Sequence, residues 1–182
     1  MNCVVLDRDG TLIRHIPYLH DPSQVEVLPT VVAGITKLVQ SGYKLFLHTN
    51  QSGIGRGYFS HADAIACNEE LLKQIGLGHT LFEDVCVCPE SPGQDALYRK
   101  PSPQYGLAII EKYAIRKNNM CYMGDNVTDL LTAKNIGCMG VGVNTGVHDL
   151  REKLQELDME KYFPVFDGFL DAVNYILYEF HL

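Results

Sequence analysis

Short apolar runs alternate with longer segments in which apolar residues recur every three or four positions. The short runs cover residues 3–6, 44–48, 85–88, 121–123 and 139–143. They are apolar almost throughout, which is typical of strands that are covered on both faces of a parallel sheet. The chain therefore predicts an α/β fold with a mainly parallel sheet.

The segments between these runs have helical periodicity. Val31, Ile35 and Leu38 share one helical face, and Gly42 offers a C-terminal stop. Similar patterns cover residues 60–76, 107–114, 127–137 and 169–178. Helices that alternate with parallel strands predict a Rossmann-like sandwich of three layers, with the sheet in the middle.

Two segments interrupt this alternation, residues 15–29 and 89–103. Both are rich in proline, serine and polar residues, and both are predicted to be loops. Long loops in a compact domain are often functional.

The chain of 182 residues has no internal repeat, low-complexity tract or linker, so we expect one domain over residues 1–182.

Charge and cysteine usage narrow the class of partner. The formal net charge is -7, and no cluster of lysine and arginine forms the basic stripe that a nucleic-acid partner requires. The first apolar run has no basic flank, and no apolar stretch is long enough to span a bilayer. Six scattered cysteines fit free thiols in a reducing compartment. We expect a cytoplasmic protein that binds neither nucleic acid nor membrane; its oligomeric state is not predicted.

The first candidate for chemistry is Asp7-Arg8-Asp9-Gly10-Thr11, directly after the first strand. In an open α/β sheet, ligands bind beyond the carboxyl ends of the strands. Two carboxylates there can have different catalytic roles, since one can attack phosphorus while the other donates and then removes a proton. A solvated turn or a helix cap is the alternative for this pentapeptide. A calcium loop is excluded, because Leu12 and Tyr18 occupy the positions that require Gly and Glu.

Polar residues also follow the later strands. Thr49 and Asn50 offer a hydroxyl and a backbone amide to phosphate oxygens, although Thr-Asn also commonly opens an Asx turn. The glycines around Arg56 lack the spacing of a dinucleotide fingerprint, and we interpret them as a flexible turn. Pro101 is predicted to begin a helix, which places Lys100 at a helix N-terminus. A lysine there is favoured if it faces an anion; an exposed lysine is the alternative.

The fourth strand ends in Gly124-Asp125-Asn126, and Asp129 lies one helical turn further on the same face. Together with Asp7 and Asp9, these carboxylates form a cluster of oxygen ligands. Mg²⁺ prefers a few carboxylates together with waters and substrate phosphate, so the cluster predicts a magnesium site. The alternative is that Asp125 only caps the helix that follows.

In order and in spacing, residues 7–11, 49–50, 100 and 124–129 resemble the four motifs of the haloacid dehalogenase-type phosphatases. The resemblance implies that Asp7 is a nucleophile that forms an aspartyl-phosphate. It implies that Asp9 protonates the leaving oxygen and later activates the hydrolytic water.

The same resemblance implies the remaining contacts. Thr49, the Asn50 amide and Lys100 would bind the phosphate. Mg²⁺ would be bound by Asp7, the Asp9 backbone carbonyl and Asp125, with Asp129 behind them.

The resemblance is strongest to one branch of this family, the D,D-heptose 1,7-bisphosphate phosphatases. It includes residues 49–57, Tyr18-Leu19-His20 and Arg99-Lys100-Pro101. It implies a small phosphorylated metabolite as substrate, a heptose 1,7-bisphosphate or a similar sugar bisphosphate. The branch has no large cap domain, so the loops must select the substrate, with Arg56 and Arg99 as binding candidates. Histidinol-phosphate phosphatase is the alternative, but that relative usually has an acidic residue in place of Ser52.

One departure from this branch concerns zinc. Many members have a zinc site formed by Cys-x-His in the second long loop and Cys-x-Cys before Arg-Lys-Pro. Here Glu90, Ala96 and Tyr98 occupy three of those four positions. Cys86 and Cys88 alone do not supply four tetrahedral ligands, so we expect no zinc.

Two other classes of function stay open at this point. One is a binding module of the same fold without catalysis, although every chemical position holds the expected type of residue. The other is a DNA 3′-phosphatase, which the acidic balance and the absence of a basic groove disfavour.

Overall fold

Apolar segments form the strands of a fully parallel sheet in the computed structural model, which describes residues 1–180. Positions 181 and 182 of the predicted domain lie outside the described residues. The strands are β1 (Cys3–Leu6), β2 (Lys44–Asn50), β3 (Phe82–Cys88), β4 (Met120–Gly124), β5 (Met139–Val143) and β6 (Val165–Phe166). Their order across the sheet is β3-β2-β1-β4-β5-β6. The predicted fold class is therefore confirmed.

Strand β1 shows why its sequence is apolar without alternation. Val4 and Leu6 belong to the hydrophobic cluster on one face of the sheet, and Cys3 and Val5 belong to the cluster on the other face. All four residues are fully buried. A central parallel strand has no solvent face, so each of its positions favours an apolar side chain.

Helices cover both faces of this sheet. They are α1 (Val31–Gln40), α2 (Ser52–Gly55), α3 (His61–Ile75), α4 (Gln104–Tyr113), α5 (Val127–Ile136), α6 (Leu150–Glu156) and α7 (Phe169–Glu179). Helices α1, α3 and α7 pack on one face, whereas α4 and α5 pack on the other. Within the described residues, no helix combines the length and the apolar character that a membrane crossing requires.

Two local predictions differ from the structure, and two elements were not predicted. Pro101 does not begin a helix: α4 starts at Gln104, because Ser102 precedes Pro103 and a residue before proline disfavours helical torsion angles. The turn that carries Arg56 contains one helical turn, α2. Helix α6 and strand β6 were not predicted, since both are too short for a clear periodic pattern.

Candidate active site

The carboxyl ends of β1, β2 and β4 place the predicted residues around one cleft. Because β1 pairs with both β2 and β4 in parallel, the residues that follow these strands lie at the same edge of the sheet. The cleft has a volume of about 350 Å³. Its lining includes the predicted residues Asp7, Asp9, Thr49, Asn50, Arg99, Lys100, Asp125 and Asp129. Arg56 is exposed and does not belong to this lining.

Lys100 is the central cation of the site. Its side chain is 3% exposed, and its Nζ atom lies 2.6 Å from Asp7 Oδ1 and within hydrogen-bond distance of Asp129. Burial by itself would lower the pKa of Lys100, but the Asp129 and Asp7 carboxylates outweigh burial and raise this pKa. A buried charge is tolerated when it is paired and hydrogen-bonded, and Lys100 therefore stays a cation beside Asp7.

The side chain of Asn50 holds the backbone at Lys100. Asn50 Nδ2 donates to the Lys100 carbonyl at 3.2 Å, and the Lys100 amide donates to Asn50 Oδ1 at 3.1 Å. This reciprocal pair links the end of β2 to the loop 89–103. The prediction for Asn50 concerned only its backbone amide, so the anchoring by its side chain was missed.

Asp9 is held by neighbours that the sequence did not identify. Arg8, which is fully buried, donates from Nε to Asp9 Oδ2 at 3.0 Å and from Nη1 to Asn68 Oδ1 at 2.9 Å. Gln51 Nε2 donates to Asp9 Oδ2 at 2.8 Å and also to Thr49 Oγ1 at 2.8 Å. No sequence pattern relates Arg8 to a position on α3, so only the folded chain identifies this support.

The acidic cluster has the composition of a magnesium site. Oxygen atoms of Asp7, Asp125 and Asp129 lie within 4.8 Å of one another. Burial, followed by the Asp7 and Asp129 charges, raises the pKa of Asp125 to about 8. Burial also raises the pKa of Asp7 to about 6, against the opposing effect of Lys100. Crowded carboxylates that repel one another and offer only oxygen atoms fit a hard divalent cation.

Two glycines make room for Asp125. A Cβ atom at Gly10 would lie 2.4 Å from an Asp125 carboxylate oxygen, and one at Gly146 would lie 2.0 Å from the same oxygen. Asp125 itself is not the cap of α5, because the Asn126 side chain accepts from the Thr128 amide instead. The cap interpretation of Asp125 is therefore wrong, and its carboxylate faces the cleft.

Comparisons with known proteins agree with this arrangement. Residues 97–172 match the family model described as HAD-hydrolase-like. The D-glycero-β-D-manno-heptose-1,7-bisphosphate 7-phosphatase of Pasteurella multocida is 34% identical over 137 residues, which cover 72% of this chain and 74% of that protein. The corresponding enzyme of Pseudomonas putida is 32% identical over 152 residues, which cover 80% and 84%.

A solved structure extends the similarity to nearly the whole chain. It is the D,D-heptose 1,7-bisphosphate phosphatase from B. bronchiseptica complexed with magnesium and phosphate. The TM-score is 0.88 at 26% identity, and the match covers 98% of this chain and 99% of that one. Fold, strand-end site and relatives together define the protein as a phosphatase. The chain belongs to the haloacid dehalogenase superfamily, in the same family as these heptose-bisphosphate phosphatases.

Proposed function

We propose that this phosphatase hydrolyses a phosphomonoester through an aspartyl-phosphate on Asp7 and depends on Mg²⁺. The observation that carries the proposal is the buried Lys100 between Asp7 and Asp129, at the edge of a cleft that also contains Asp125. Mg²⁺ held by Asp7, the Asp9 carbonyl and Asp125 would neutralise charge on the carboxylates and on the phosphate oxygens. A carboxylate can approach a phosphate dianion only after such neutralisation.

The chain's own residues account for the two proposed steps. Asp7 attacks phosphorus, and the bond from phosphorus to the leaving oxygen breaks while Asp9 gives that oxygen a proton. Asp9 then takes a proton from a water molecule that attacks the phosphorus, and the bond to Asp7 breaks. Arg8 and Gln51 fix the direction of the Asp9 carboxylate during these transfers.

The remaining donors bind the transferred group. Thr49 Oγ1 and the Asn50 amide lie at the end of β2 and would donate to phosphate oxygens. Lys100 balances the charge that the phosphate brings and orients Asp7. Donors that are fixed before the reaction lower the barrier, because they need no reorganisation as charge develops.

For the substrate, we propose a heptose 1,7-bisphosphate or a similar sugar bisphosphate. Arg99 lines the cleft, and its Nη1 donates to the Glu90 carbonyl at 2.7 Å. Burial lowers the pKa of Arg99, although the side chain stays a cation. The Arg99 guanidinium in the cleft lining suits a second phosphate, whereas Arg56 lies outside that lining. The names of the relatives in Pasteurella and Pseudomonas support the same substrate.

Histidinol phosphate is the second candidate. The relative that favours it is the histidine biosynthesis bifunctional protein of Legionella pneumophila, which is 27% identical over 135 residues. The match covers 38% of that longer protein. Ser52 lines an adjoining pocket that shares Asp9 and Asn50 with the cleft, and its hydroxyl adds no negative charge there, which favours the sugar bisphosphate.

A substrate panel tests the proposal. We expect kcat/KM for heptose 1,7-bisphosphate to exceed that for histidinol phosphate and for a 3′-phosphate on nicked DNA, with Mg²⁺ present throughout. Better turnover of histidinol phosphate would favour the second candidate. Release of phosphate from no compound, including an activated aryl phosphate, would reduce the protein to a binding module.

A further inference from the structure

Apart from the acidic cluster, residues 1–180 contain one group of neighbouring side chains with soft ligand atoms. His48 on β2 is paired in register with Cys86 on β3, and Cys88 lies two residues further along the same strand. Residues two apart on a strand project from the same face, so all three side chains meet on one side of the sheet. His48 is fully buried and Cys88 is 2% exposed.

Two of the three distances between these atoms match those of a tetrahedral metal site. Cys86 Sγ lies 3.5 Å from Cys88 Sγ, and Cys88 Sγ lies 3.6 Å from His48 Nε2. The three ligand atoms all lie within 4.8 Å of one another. Tetrahedral zinc, with bonds of about 2.3 Å to sulfur and about 2.0 Å to nitrogen, separates such ligands by roughly 3.5–3.8 Å.

The surroundings of His48 also suit a neutral metal ligand. Burial, and then the charge of Lys100, lowers the pKa of His48 well below its ordinary value. In the metal-free site Nε2 donates to the Tyr98 carbonyl oxygen at 2.8 Å. Metal binding requires the other tautomer, in which Nδ1 donates to Tyr122 Oη, 3.1 Å away, and Nε2 offers its lone pair to the metal.

We propose that Cys86, Cys88 and His48 bind one zinc ion, with the Tyr98 carbonyl or a water molecule as fourth ligand. Two thiolates balance the charge of the dication, so the occupied site is neutral and burial costs little. The two thiol protons are released to solvent on binding. This site replaces the expectation of no zinc, which considered the loop positions and the two cysteines but not His48.

The position of the site indicates a structural role. Cys88 is the last residue of β3, and the loop that follows it ends at Arg99 and Lys100. A zinc ion would tie the ends of β2 and β3 to the base of this loop. Its occupancy should therefore raise the thermal unfolding temperature.

Cobalt titration of the full chain tests the site without any use of activity. The reduced, metal-free protein is titrated with Co²⁺ in excess Mg²⁺, and absorption from thiolate-to-cobalt charge transfer is recorded. Carboxylates cannot produce this absorption, so the acidic cluster does not contribute. We expect saturation at about one Co²⁺ per chain and displacement by an equal amount of Zn²⁺.

Variants assign the ligands. Cys86→Ser and Cys88→Ser should each weaken Co²⁺ binding by more than the roughly 10–100-fold that is typical for loss of an outer partner of a ligand. Cys138→Ser is the matched control, because Cys138 is another half-buried thiol outside the cluster, and it should bind like the wild type. Circular dichroism checks that each variant is folded. Absence of the charge-transfer absorption in the wild type, or its persistence in folded Cys86→Ser and Cys88→Ser, would overturn the proposal.

Discussion

Asp7 shows how opposing influences act on a single side chain. Burial raises its pKa to about 6, while the Lys100 ammonium, 2.6 Å away, favours the carboxylate. Asp7 is therefore mainly ionised at neutral pH although its side chain is only 11% exposed. An ionised carboxylate with little bound water suits nucleophilic attack.

Removal of the nucleophile is the most direct prediction at this scale. Asp7→Asn should abolish nearly all turnover, because an amide cannot attack phosphorus, and the fold should be retained. Steady-state phosphate release and circular dichroism measure the two effects. Asp167→Asn is the control, since that carboxylate is 83% exposed and lies outside the cleft lining, and it should keep full activity. Substantial turnover by purified, folded Asp7→Asn would refute the assignment.

Asp9 can be tested through the leaving group. Asp9→Asn keeps the shape of the side chain but cannot donate a proton, and general acids contribute about 10²–10⁴-fold to rate. We expect a loss of this size for sugar phosphates and a smaller loss for activated aryl phosphates, whose leaving groups need no proton. Measured kcat values on both types make the comparison. Equal losses would show that Asp9 is not the acid.

At the scale of elements, the loop 89–103 contributes to the site only because other elements hold it. Asn50 at the end of β2 binds the backbone of Lys100, and Asn135 on α5 donates to the Pro101 carbonyl at 2.9 Å. These contacts fix the end of the loop that carries Arg99 and Lys100. An element without regular structure thereby places two cations beside the cleft.

Arg99 provides the prediction for this loop. Arg99→Ala should lower kcat/KM on a sugar bisphosphate. The fall should correspond to a rise of roughly 2–4 kcal/mol in activation free energy, which is the scale for loss of a charge-assisted contact. The effect on a small monophosphate should be much smaller, because that substrate has no second phosphate. Arg116→Ala, which removes an exposed arginine outside the cleft lining, is the control. An identical loss for both substrates would argue against a role in binding the second phosphate.

At the scale of the whole molecule, strand order determines which side chains meet. Strands β1 and β4 are distant in sequence but adjacent in the sheet, so Asp7 and Asp125 share one edge. Bringing these carboxylates together in a buried place destabilises the folded state when they are ionised. The pKa of Asp125 rises from the ordinary 3.8 to about 8, which means that folding opposes its ionisation.

This destabilisation predicts how stability depends on pH when chelator removes the metal. Since folding raises the pKa of Asp125, the folded chain binds more protons than the unfolded chain up to about pH 8, and the free energy of unfolding falls as pH rises. Between pH 6.5 and pH 8.5 His48 is neutral in the folded chain, and loss of its remaining proton from the unfolded chain opposes the fall by only about 0.4 kcal/mol. The contribution of Asp125 to the loss should be about 2 kcal/mol, at 1.36 kcal/mol per pKa unit.

Thermal unfolding measures this effect. We expect the unfolding temperature of the metal-free protein to fall by a few degrees, about 4–8 °C at most, between these pH values. Added Mg²⁺ should remove most of the fall and restore activity. Asp125→Asn should show a weaker pH dependence without metal. An unfolding temperature that rises with pH in chelator would contradict the prediction.

A local pattern of apolar residues is sufficient to predict the bounds of some strands but not of short elements. The strands at 3–6 and 139–143 have the predicted bounds, because buried parallel strands are apolar along their whole length. Helix α6 and strand β6 were missed because seven and two residues are too few to show a period. The predicted helix start at Pro101 was wrong, because Pro103 disfavours helical torsion angles at Ser102 and the helix begins only at Gln104.

Local patterns were sufficient to predict the α/β class, the order of the chemical residues along the chain and the superfamily, since strand and helix periods and short motifs are local properties. Which distant side chains meet depends on the folded arrangement of the strands and helices. The ion pairs of Lys100, the support of Asp9 by Arg8 and Asn68, and the cluster of His48 with Cys86 and Cys88 all join separate elements. Such contacts depend on strand order and register, which bring together residues that no local pattern relates.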